Sequence, residues 1–257
     1  MEIAKGKRAL VVGVANDKSL AWSIARQLHE AGAEIALTYQ GEVLEKRVRP
    51  LAAQIEAAVI GELDVTNDDQ IAAVFGALKE KWGGLDMLVH AVAFAEREDL
   101  RDRFLNVSRK NFARTMEISA YSLVALARAA EPLMEARGGG SIVTLSYLGA
   151  VRAIPNYNVM GVAKAALEAC VRYLSIDLGS KNIRVNAISA GPARTLSSSA
   201  IRDFHTMAHE VEQRSPLRRA MDVEEPAKMA VALLSDLGSG VTGQTVYVDV
   251  GYNIVGF

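Results

Sequence analysis

The sequence has little of several features that mark particular classes of protein. A single cysteine, Cys170, stands among 257 residues, so an internal disulfide and a cysteine-rich metal site are both excluded. No apolar run approaches the roughly 20 residues that a membrane-spanning helix needs. The net charge is −1, and lysine and arginine are scattered, which leaves no electrostatic footprint for nucleic acid. We therefore expect a soluble protein that binds neither nucleic acid nor a membrane.

Export and metal signals are also missing. The segment MEIAKGKRALVVG runs directly into a predicted strand, without the charged leader, apolar core and cleavage site of a signal peptide, and this favours a cytoplasmic protein. His205 and His209 have a spacing that could bind zinc, but no third ligand completes the pattern. We therefore predict no metal site.

Apolar runs that alternate with helical patterns are what the sequence has in abundance. Seven runs rich in Val, Ile and Leu, from RALVVGVA to TVYVDV, are typical of strands, and helical patterns separate most of them. Such runs predict a parallel sheet covered on both faces by helices. We therefore predict an α/β protein with a Rossmann-like, doubly wound, seven-stranded parallel sheet in a single domain over residues 1–257. Two long helices are expected over 108–136 and 155–179.

The loop after the first strand is the first candidate binding site. Its sequence, GVANDKSLA, has only the first glycine, Gly13, of the G-x-G-x-x-G fingerprint that brings a backbone close to a pyrophosphate. Ser19 stands where its hydroxyl could cap the following helix and bond a phosphate oxygen. A plain strand-to-helix loop with a serine cap explains the same residues, so this stretch alone leaves both interpretations open.

The ends of the second and third strands strengthen the case for a dinucleotide. Gln40 lies about where an acidic residue would bind the adenosine ribose. Glu42 would repel the 2′-phosphate of NADPH, and the nearest basic residues lie at least a helical turn further on, so NADH is favoured. A carboxylate at Asp64 can accept from the adenine amino group while Val65 packs on the ring. Asp64 could also be a neighbour of the next helix cap.

The segment YNVMGVAK carries the candidate catalytic pair. Tyr157 and Lys164 lie two helical turns apart on one helix face, roughly 10 Å along the axis. Taken alone, the spacing favours a core tyrosine and a snorkelling lysine. The context reverses that preference, because Tyr147 follows the fifth strand and the carboxyl ends of strands one, four, five and six line one crevice in a doubly wound sheet.

With these motifs in place, the sequence resembles the short-chain dehydrogenase/reductase superfamily, and within it the enoyl-[acyl-carrier-protein] reductases of type II fatty acid synthesis. The resembling motifs span nearly the whole chain in the family's order. The Y-x6-K spacing is specific, since most of the superfamily uses Y-x3-K. The motifs include GVANDKSLAWSIA, VHAVAFA, SYLGA, IPNYNVMGVAKAALEACVRYL, IRVNAISAGPARTL and SGVTGQTVYVDVGY.

The resemblance implies an oxidoreductase that reduces trans-2-enoyl thioesters on acyl carrier protein with NADH. It implies that Tyr157, Tyr147 and Lys164 are catalytic, that Ala95 lies at the substrate mouth, and that 195–210 is a mobile substrate-binding loop. It also implies a homotetramer. By motif position it places these residues at the cofactor: Gly13, Ser19, Leu20, Gln40, Asp64, Val65, Val92, Lys164, Ala193, Arg194, Thr195, Leu196 and Ser197.

Two alternatives remain at this point. One is a 3-ketoacyl or other carbonyl reductase, although its usual Y-x3-K is absent and Thr144 stands about where its serine would fall. The other is a cofactor-binding regulator on a retained reductase scaffold. Such a regulator would tolerate loss of the tyrosine or the lysine, and both are present.

Overall fold

The fold is built on one seven-stranded sheet. A computed structural model describes residues 2–193 and 204–256 of the chain. The strands are β1 Arg8–Val12, β2 Glu34–Tyr39, β3 Ala58–Glu62, β4 Met87–His90, β5 Gly140–Ser146, β6 Ile183–Ala190 and β7 Thr245–Val248. The helices are α1 Leu20–Glu30, α2 Gly41–Gln54, α3 Asp68–Trp82, α4 Arg109–Met116, α5 Ser122–Glu135, α6 Asn158–Gly179, α7 Phe204–Arg214 and α8 Glu224–Leu234.

The strand order confirms the doubly wound prediction. All pairings are parallel, and the strands lie in the order β3-β2-β1-β4-β5-β6-β7. The order reverses between β1 and β4, which opens a crevice beyond their carboxyl ends. None of the helices within the described ranges is long and apolar enough to cross a lipid bilayer.

Two hydrophobic cores cover the two faces of the sheet. Successive strand side chains point to opposite faces, so Leu10 of β1 joins one core and Val11 joins the other, both fully buried. The Leu10 core packs against α3, α5 and α6, and the Val11 core packs against α1, α2 and α8. Burial on both sides is the reason that the strands carry apolar side chains on both faces.

Short polar side chains begin three of the helices, and the cap predicted at Ser19 is confirmed. Ser19, Asn67 and Ser108 each accept a hydrogen bond from a backbone N–H two or three residues later, at 3.0 to 3.3 Å. Gly83 ends α3 with a φ of 69°, a conformation that glycine adopts without steric cost. These contacts satisfy backbone groups that a helix terminus leaves unpaired.

The two long helices differ from their predicted bounds. The helix expected over 108–136 consists of α4 and α5, joined by a π-helical turn over Glu117–Tyr121. The helix expected from 155 begins at Asn158, with Tyr157 as its N-cap residue. Asn156 and Asn158 both have a positive φ, 62° and 42°, so the backbone becomes regularly right-handed only beyond them. Helix α8 was not predicted. Of the predicted loop 195–210, only the part from Phe204 lies within the described residues, and there it is the start of α7; mobility of the loop stays a prediction.

Candidate active site

The crevice at the carboxyl ends of the strands forms a cavity of about 580 Å³. Side chains that follow β1, β2, β3, β4, β5 and β6 all reach it, as the fold requires. It brings together every predicted site residue within the described ranges: Gly13, Ser19, Leu20, Gln40, Asp64, Val65, Val92, Ala95, Tyr147, Tyr157, Lys164 and Ala193. Arg194, Thr195, Leu196 and Ser197 lie outside the described residues.

A close backbone approach shapes the phosphate end of the cavity. Gly13 has a φ of 106°, and a Cβ atom built there would lie 2.2 Å from the carbonyl oxygen of Ala91. Only glycine fits such a position. Ser19 caps α1, and its hydroxyl donates to the carbonyl of Asn16 at 2.8 Å. Gly13, Ser19 and Leu20 all line the cavity, so the N-terminus of α1 borders it, and a helix N-terminus is a favourable position for a pyrophosphate.

Polar side chains line the part of the cavity beyond the carboxyl ends of β2 and β3. The amide of Gln40 donates to Asp64 Oδ2 at 2.9 Å. Asp64 Oδ1 accepts from both the backbone N–H and the hydroxyl of Thr66, at 2.9 and 2.7 Å. Partial burial acts to raise the pKa of Asp64, but these hydrogen bonds outweigh it and hold that pKa below its usual value. Asp64 therefore both supports the start of α3 and presents a carboxylate to the cavity.

The first turn of α2 offers no unpaired lysine to a 2′-phosphate. Lys46 Nζ lies 2.6 Å from Glu42 Oε1, and both side chains are exposed. Neither residue lines the cavity, whereas Leu44 does. A phosphate would have to compete with Glu42 for this lysine, so the geometry agrees with the preference for NADH.

Tyr157 and Tyr147 lie edge to face at the catalytic end. Their ring centroids are 4.9 Å apart and the rings are inclined by 66°, a favourable aromatic geometry. Burial raises the pKa of Tyr157 far above its usual value of 10 and raises that of Tyr147 to about 12. Both side chains are therefore neutral phenols at neutral pH, with O–H groups that can donate to an oxygen atom.

Lys164 is a buried cation beside them. Its side chain is only 6% exposed, and Nζ donates to the carbonyl oxygen of Leu145 at 2.6 Å. Burial lowers the pKa of Lys164 to about 8, against the effect of Glu168, which raises it. The side chain is therefore mostly an ammonium group at neutral pH and loses its charge under mildly alkaline conditions.

An apolar wall closes the substrate end. Leu100 and Met160 pack against Tyr157, with Ala95 at the edge of the same cluster. This wall suits an apolar acyl chain next to the phenol of Tyr157.

Arg114 is a cavity residue that the sequence did not reveal. It lies over the ring of Phe94, 4.7 Å from its centroid, and pairs with Glu96 at 3.1 Å. Its spacing of four residues from Ile118, another lining residue, was the available signal. That spacing indicates a shared helix face but does not say which face meets the cavity.

Two candidates of the sequence stay outside the cavity chemistry. Thr144 is fully buried in β5, with its hydroxyl 2.8 Å from His90 Nδ1, and it does not line the cavity. It therefore cannot act as the active-site hydroxyl of a carbonyl reductase. Among residues 2–193 and 204–256, no group of three or more potential ligands is placed to hold a metal ion.

A doubly wound sheet with a dinucleotide-sized cavity and a buried Tyr–Lys pair defines a nicotinamide-dependent reductase of the short-chain dehydrogenase/reductase class. The model of one family within that class, described as enoyl-(acyl carrier protein) reductase, matches residues 13–253. The chain belongs to this family.

Comparisons with individual proteins agree with the family. The chain is 55% identical over 254 residues to enoyl-[acyl-carrier-protein] reductase [NADH] 1 of Rhizobium meliloti, covering 99% of this chain and 93% of the relative. The Anaplasma phagocytophilum reductase in complex with NAD is 51% identical, with a TM-score of 0.95 and coverage of 99% and 97%. The Bacillus cereus enzyme with NADP+ and an indole naphthyridinone is 50% identical, with a TM-score of 0.97 and full coverage of both chains.

Proposed function

We propose that this chain reduces the trans-2 double bond of an enoyl group carried on acyl carrier protein, with NADH, in the fatty acid elongation cycle. The chain is an NADH-dependent enzyme of the enoyl reductase family, and full-length similarity to such enzymes supports the activity. The observation that carries the residue roles is the meeting of Tyr157, Tyr147 and Lys164 in one cavity with the glycine of the phosphate end.

The residues that would hold NADH follow the length of the cavity. Gly13 and Ser19 would lie against the pyrophosphate, Gln40 against the adenosine ribose, and Asp64 with Val65 against the adenine. The positions of Gly13 and Ser19 along the cavity wall, at the turn between β1 and α1, support this placement. NADH, when bound, supplies a hydride for the β-carbon of the enoyl group.

Tyr157 would stabilise the charge that the reaction creates. As the β-carbon gains a hydride, negative charge develops on the thioester carbonyl oxygen, and a donor aimed at that oxygen lowers the barrier. Protonation of the α-carbon would then complete the reduction. The raised pKa of Tyr157 supports a role as an O–H donor that keeps its proton. The ring of Tyr147, packed edge to face, restricts the orientation of Tyr157.

Lys164 would bind the hydroxyl groups of the nicotinamide ribose. Its ammonium group has two N–H bonds left after it donates to Leu145. Its positive charge would also favour the negative charge on the substrate oxygen. The side chain therefore would link cofactor position to transition-state stabilisation.

The proposal includes a single domain, a mobile substrate-binding loop and a homotetramer. One continuous sheet supports a single domain over 1–257, and 195–210 would act as a substrate-binding loop that excludes water.

Helix α6 carries exposed apolar side chains at Val162, Tyr173 and Ile176, which supports its burial between subunits of a homotetramer. A cytoplasmic location stays a prediction from the sequence. Light scattering would test the assembly, and a mass four times that of one chain is the expected result.

The activity is tested by NADH oxidation with a crotonyl thioester, run beside an acetoacetyl thioester and repeated with NADPH. Turnover of the crotonyl substrate with NADH preferred is the expected result. Turnover of the acetoacetyl substrate alone would favour the carbonyl reductase alternative. Binding of NADH without turnover of either substrate would favour the regulatory alternative.

A further inference from the structure

A buried carboxylate lies directly behind the active site. Glu168 is 6% exposed and stands on α6, one helical turn beyond Lys164. The hydroxyl of Ser146 donates to Glu168 Oε1 at 2.5 Å, while the preceding carbonyl, that of Leu145, accepts from Lys164 Nζ at 2.6 Å. Two consecutive residues at the end of β5 therefore hold a buried anion and a buried cation.

Burial makes each of these charges costly on its own. An ionised side chain removed from water is destabilised by several kcal/mol unless an opposite charge and hydrogen bonds compensate it. The anion has the Ser146 hydroxyl, and the cation has the Leu145 carbonyl. Glu168 is the carboxylate that acts to raise the pKa of Lys164 against the effect of burial. Glu168 therefore favours the charged form of Lys164.

We propose that Glu168 is a positioning residue of the active site, a buried counter-charge that keeps Lys164 protonated for its contact with the cofactor. This inference rests on the proposed role of Lys164 at the ribose. The carboxylate does not line the cavity, so it would act only through the lysine.

The other titratable groups around Lys164 do not interfere. Burial lowers the pKa of His90, on β4, to about 3 and raises that of Tyr147 to about 12. Burial also raises the pKa of Tyr157. Among these displaced groups, only Lys164 changes its charge between neutral and mildly alkaline pH.

Two groups on or beside β7 face Glu168 and Tyr147. Burial raises the pKa of Tyr247, and Glu168 adds to that effect, so its phenol stays neutral over the same pH range. The Asp249 carboxylate accepts from the backbone N–H groups of Gly251 and Asn253 at 3.1 and 2.8 Å. Neither group supplies a positive charge that could replace Lys164.

The sign of the expected effect follows from the charge of the lysine. Lys164 carries its charge below its pKa and loses it as pH rises through about 8. Removing the negative charge of Glu168 lowers that pKa further, so Glu168→Gln loses the ammonium form at lower pH. One unit of displacement changes the protonated fraction on the alkaline side about tenfold.

The decisive experiment titrates Lys164 directly, by 13C NMR of lysine Cε in the ligand-free protein, with the signal assigned by its loss in Lys164→Met. Glu168→Gln should lower the midpoint by about one pH unit, and Glu168→Asp should restore most of it. Glu135→Gln is the matched control, because Glu135 pairs with Lys181 at the surface, and it should leave the midpoint unchanged. An unchanged midpoint in Glu168→Gln overturns the proposal.

Ser146→Ala is a second variant that keeps the test open if Glu168→Gln does not fold. It removes the hydroxyl that holds the carboxylate, so the Lys164 midpoint should fall by a smaller amount in the same direction. No displacement in this variant would also overturn the proposal.

NADH affinity, measured by fluorescence across the same pH range, separates this proposal from the ribose role. The affinity of Glu168→Gln should match that of the parent at about pH 6, where Lys164 is still mostly charged, and fall about tenfold at higher pH. A displaced lysine midpoint with unchanged NADH affinity would support the counter-charge and contradict the ribose role of Lys164.

Discussion

The two ends of the cavity use opposite physical means. At the adenine end, Gln40 is exposed, Asp64 is half-buried, and hydrogen bonds hold the pKa of Asp64 below its usual value. At the catalytic end, Tyr157 and Lys164 are buried. Burial raises the pKa of Tyr157 and lowers that of Lys164, so it favours the neutral form of both side chains. Solvent and hydrogen bonds therefore set the charge states at the adenine end, and desolvation sets them at the catalytic end.

This difference has a consequence for function. A contact that water can replace changes affinity by a modest amount, because solvent screens charges and supplies substitute hydrogen bonds. A donor in a desolvated site acts on developing charge with little competition from water. Substitutions at the catalytic end should therefore change the rate or the NADH affinity strongly, and those at the adenine end should change NADH affinity weakly.

Tyr157→Phe should have the largest effect. It removes the O–H donor and keeps the ring that packs on Tyr147, so kcat should fall by about 10²–10³-fold. NADH affinity should stay within about twofold, because the phenol faces the substrate. Tyr121→Phe, at a tyrosine that is 49% exposed and does not line the cavity, is the control and should behave as the parent. Equal kcat in the two variants would contradict the oxyanion role.

Lys164→Ala should come next, with its effect on cofactor binding. Hydrogen bonds from a charged group contribute about 1.5–3 kcal/mol, so NADH affinity should weaken about ten- to a hundredfold. The affinity of the parent should also fall as pH rises through about 8, where Lys164 loses its charge. Isothermal titration calorimetry at two pH values measures both effects.

Lys181→Ala is the matched control for that variant. Lys181 pairs with Glu131 and Glu135 at 2.8 Å on the surface, away from the cavity, so its loss should leave NADH affinity unchanged. Normal affinity in Lys164→Ala would show that the ribose is held by other residues.

Gly13→Ala tests the close approach at the phosphate end, with Gly41→Ala as its control. Both glycines have a positive φ, 106° and 70°, but only Gly13 is crowded by a backbone carbonyl. Both variants should lose stability through backbone strain of about 1–3 kcal/mol, whereas only Gly13→Ala should lose NADH affinity, by about tenfold. Equal affinity in the two variants would mean that the cofactor backbone does not pass Gly13.

The parts of the site that were predictable from the sequence depend on local rules. Continuous apolar strands indicated a parallel sheet, and a parallel doubly wound sheet fixes where its carboxyl ends meet. The sequence therefore predicts that Gly13 and Asp64 lie in the crevice. The Tyr157–Lys164 spacing predicts one shared helix face, whereas Tyr157 is the N-cap residue that precedes α6. The topology still brings both side chains to one cavity.

The parts that were missed depend on packing between distant segments. Asn156 and Asn158 both have a positive φ at the start of α6, and nothing in PNYNV requires this without the surrounding structure. Arg114 of α4 lines the cavity where it lies over Phe94, 20 residues earlier in the chain, and Glu168 is recognised only through Ser146, 22 residues earlier. Such contacts are set by tertiary structure, which overrides local propensity.

Asp64→Asn should have the smallest effect on NADH affinity, and it tests the adenine end of the cavity. Asparagine keeps an oxygen that can accept from Thr66, but it removes the negative charge and the acceptor that faces Gln40. One neutral hydrogen bond contributes about 1 kcal/mol, so NADH affinity should fall by about three- to fivefold, with kcat unchanged. Asp68→Asn, in the exposed first turn of α3, is the control for a lost surface carboxylate. If Asp64→Asn instead lowered kcat as strongly as Tyr157→Phe, the two ends would act as one coupled unit, and the division between affinity and rate would be wrong.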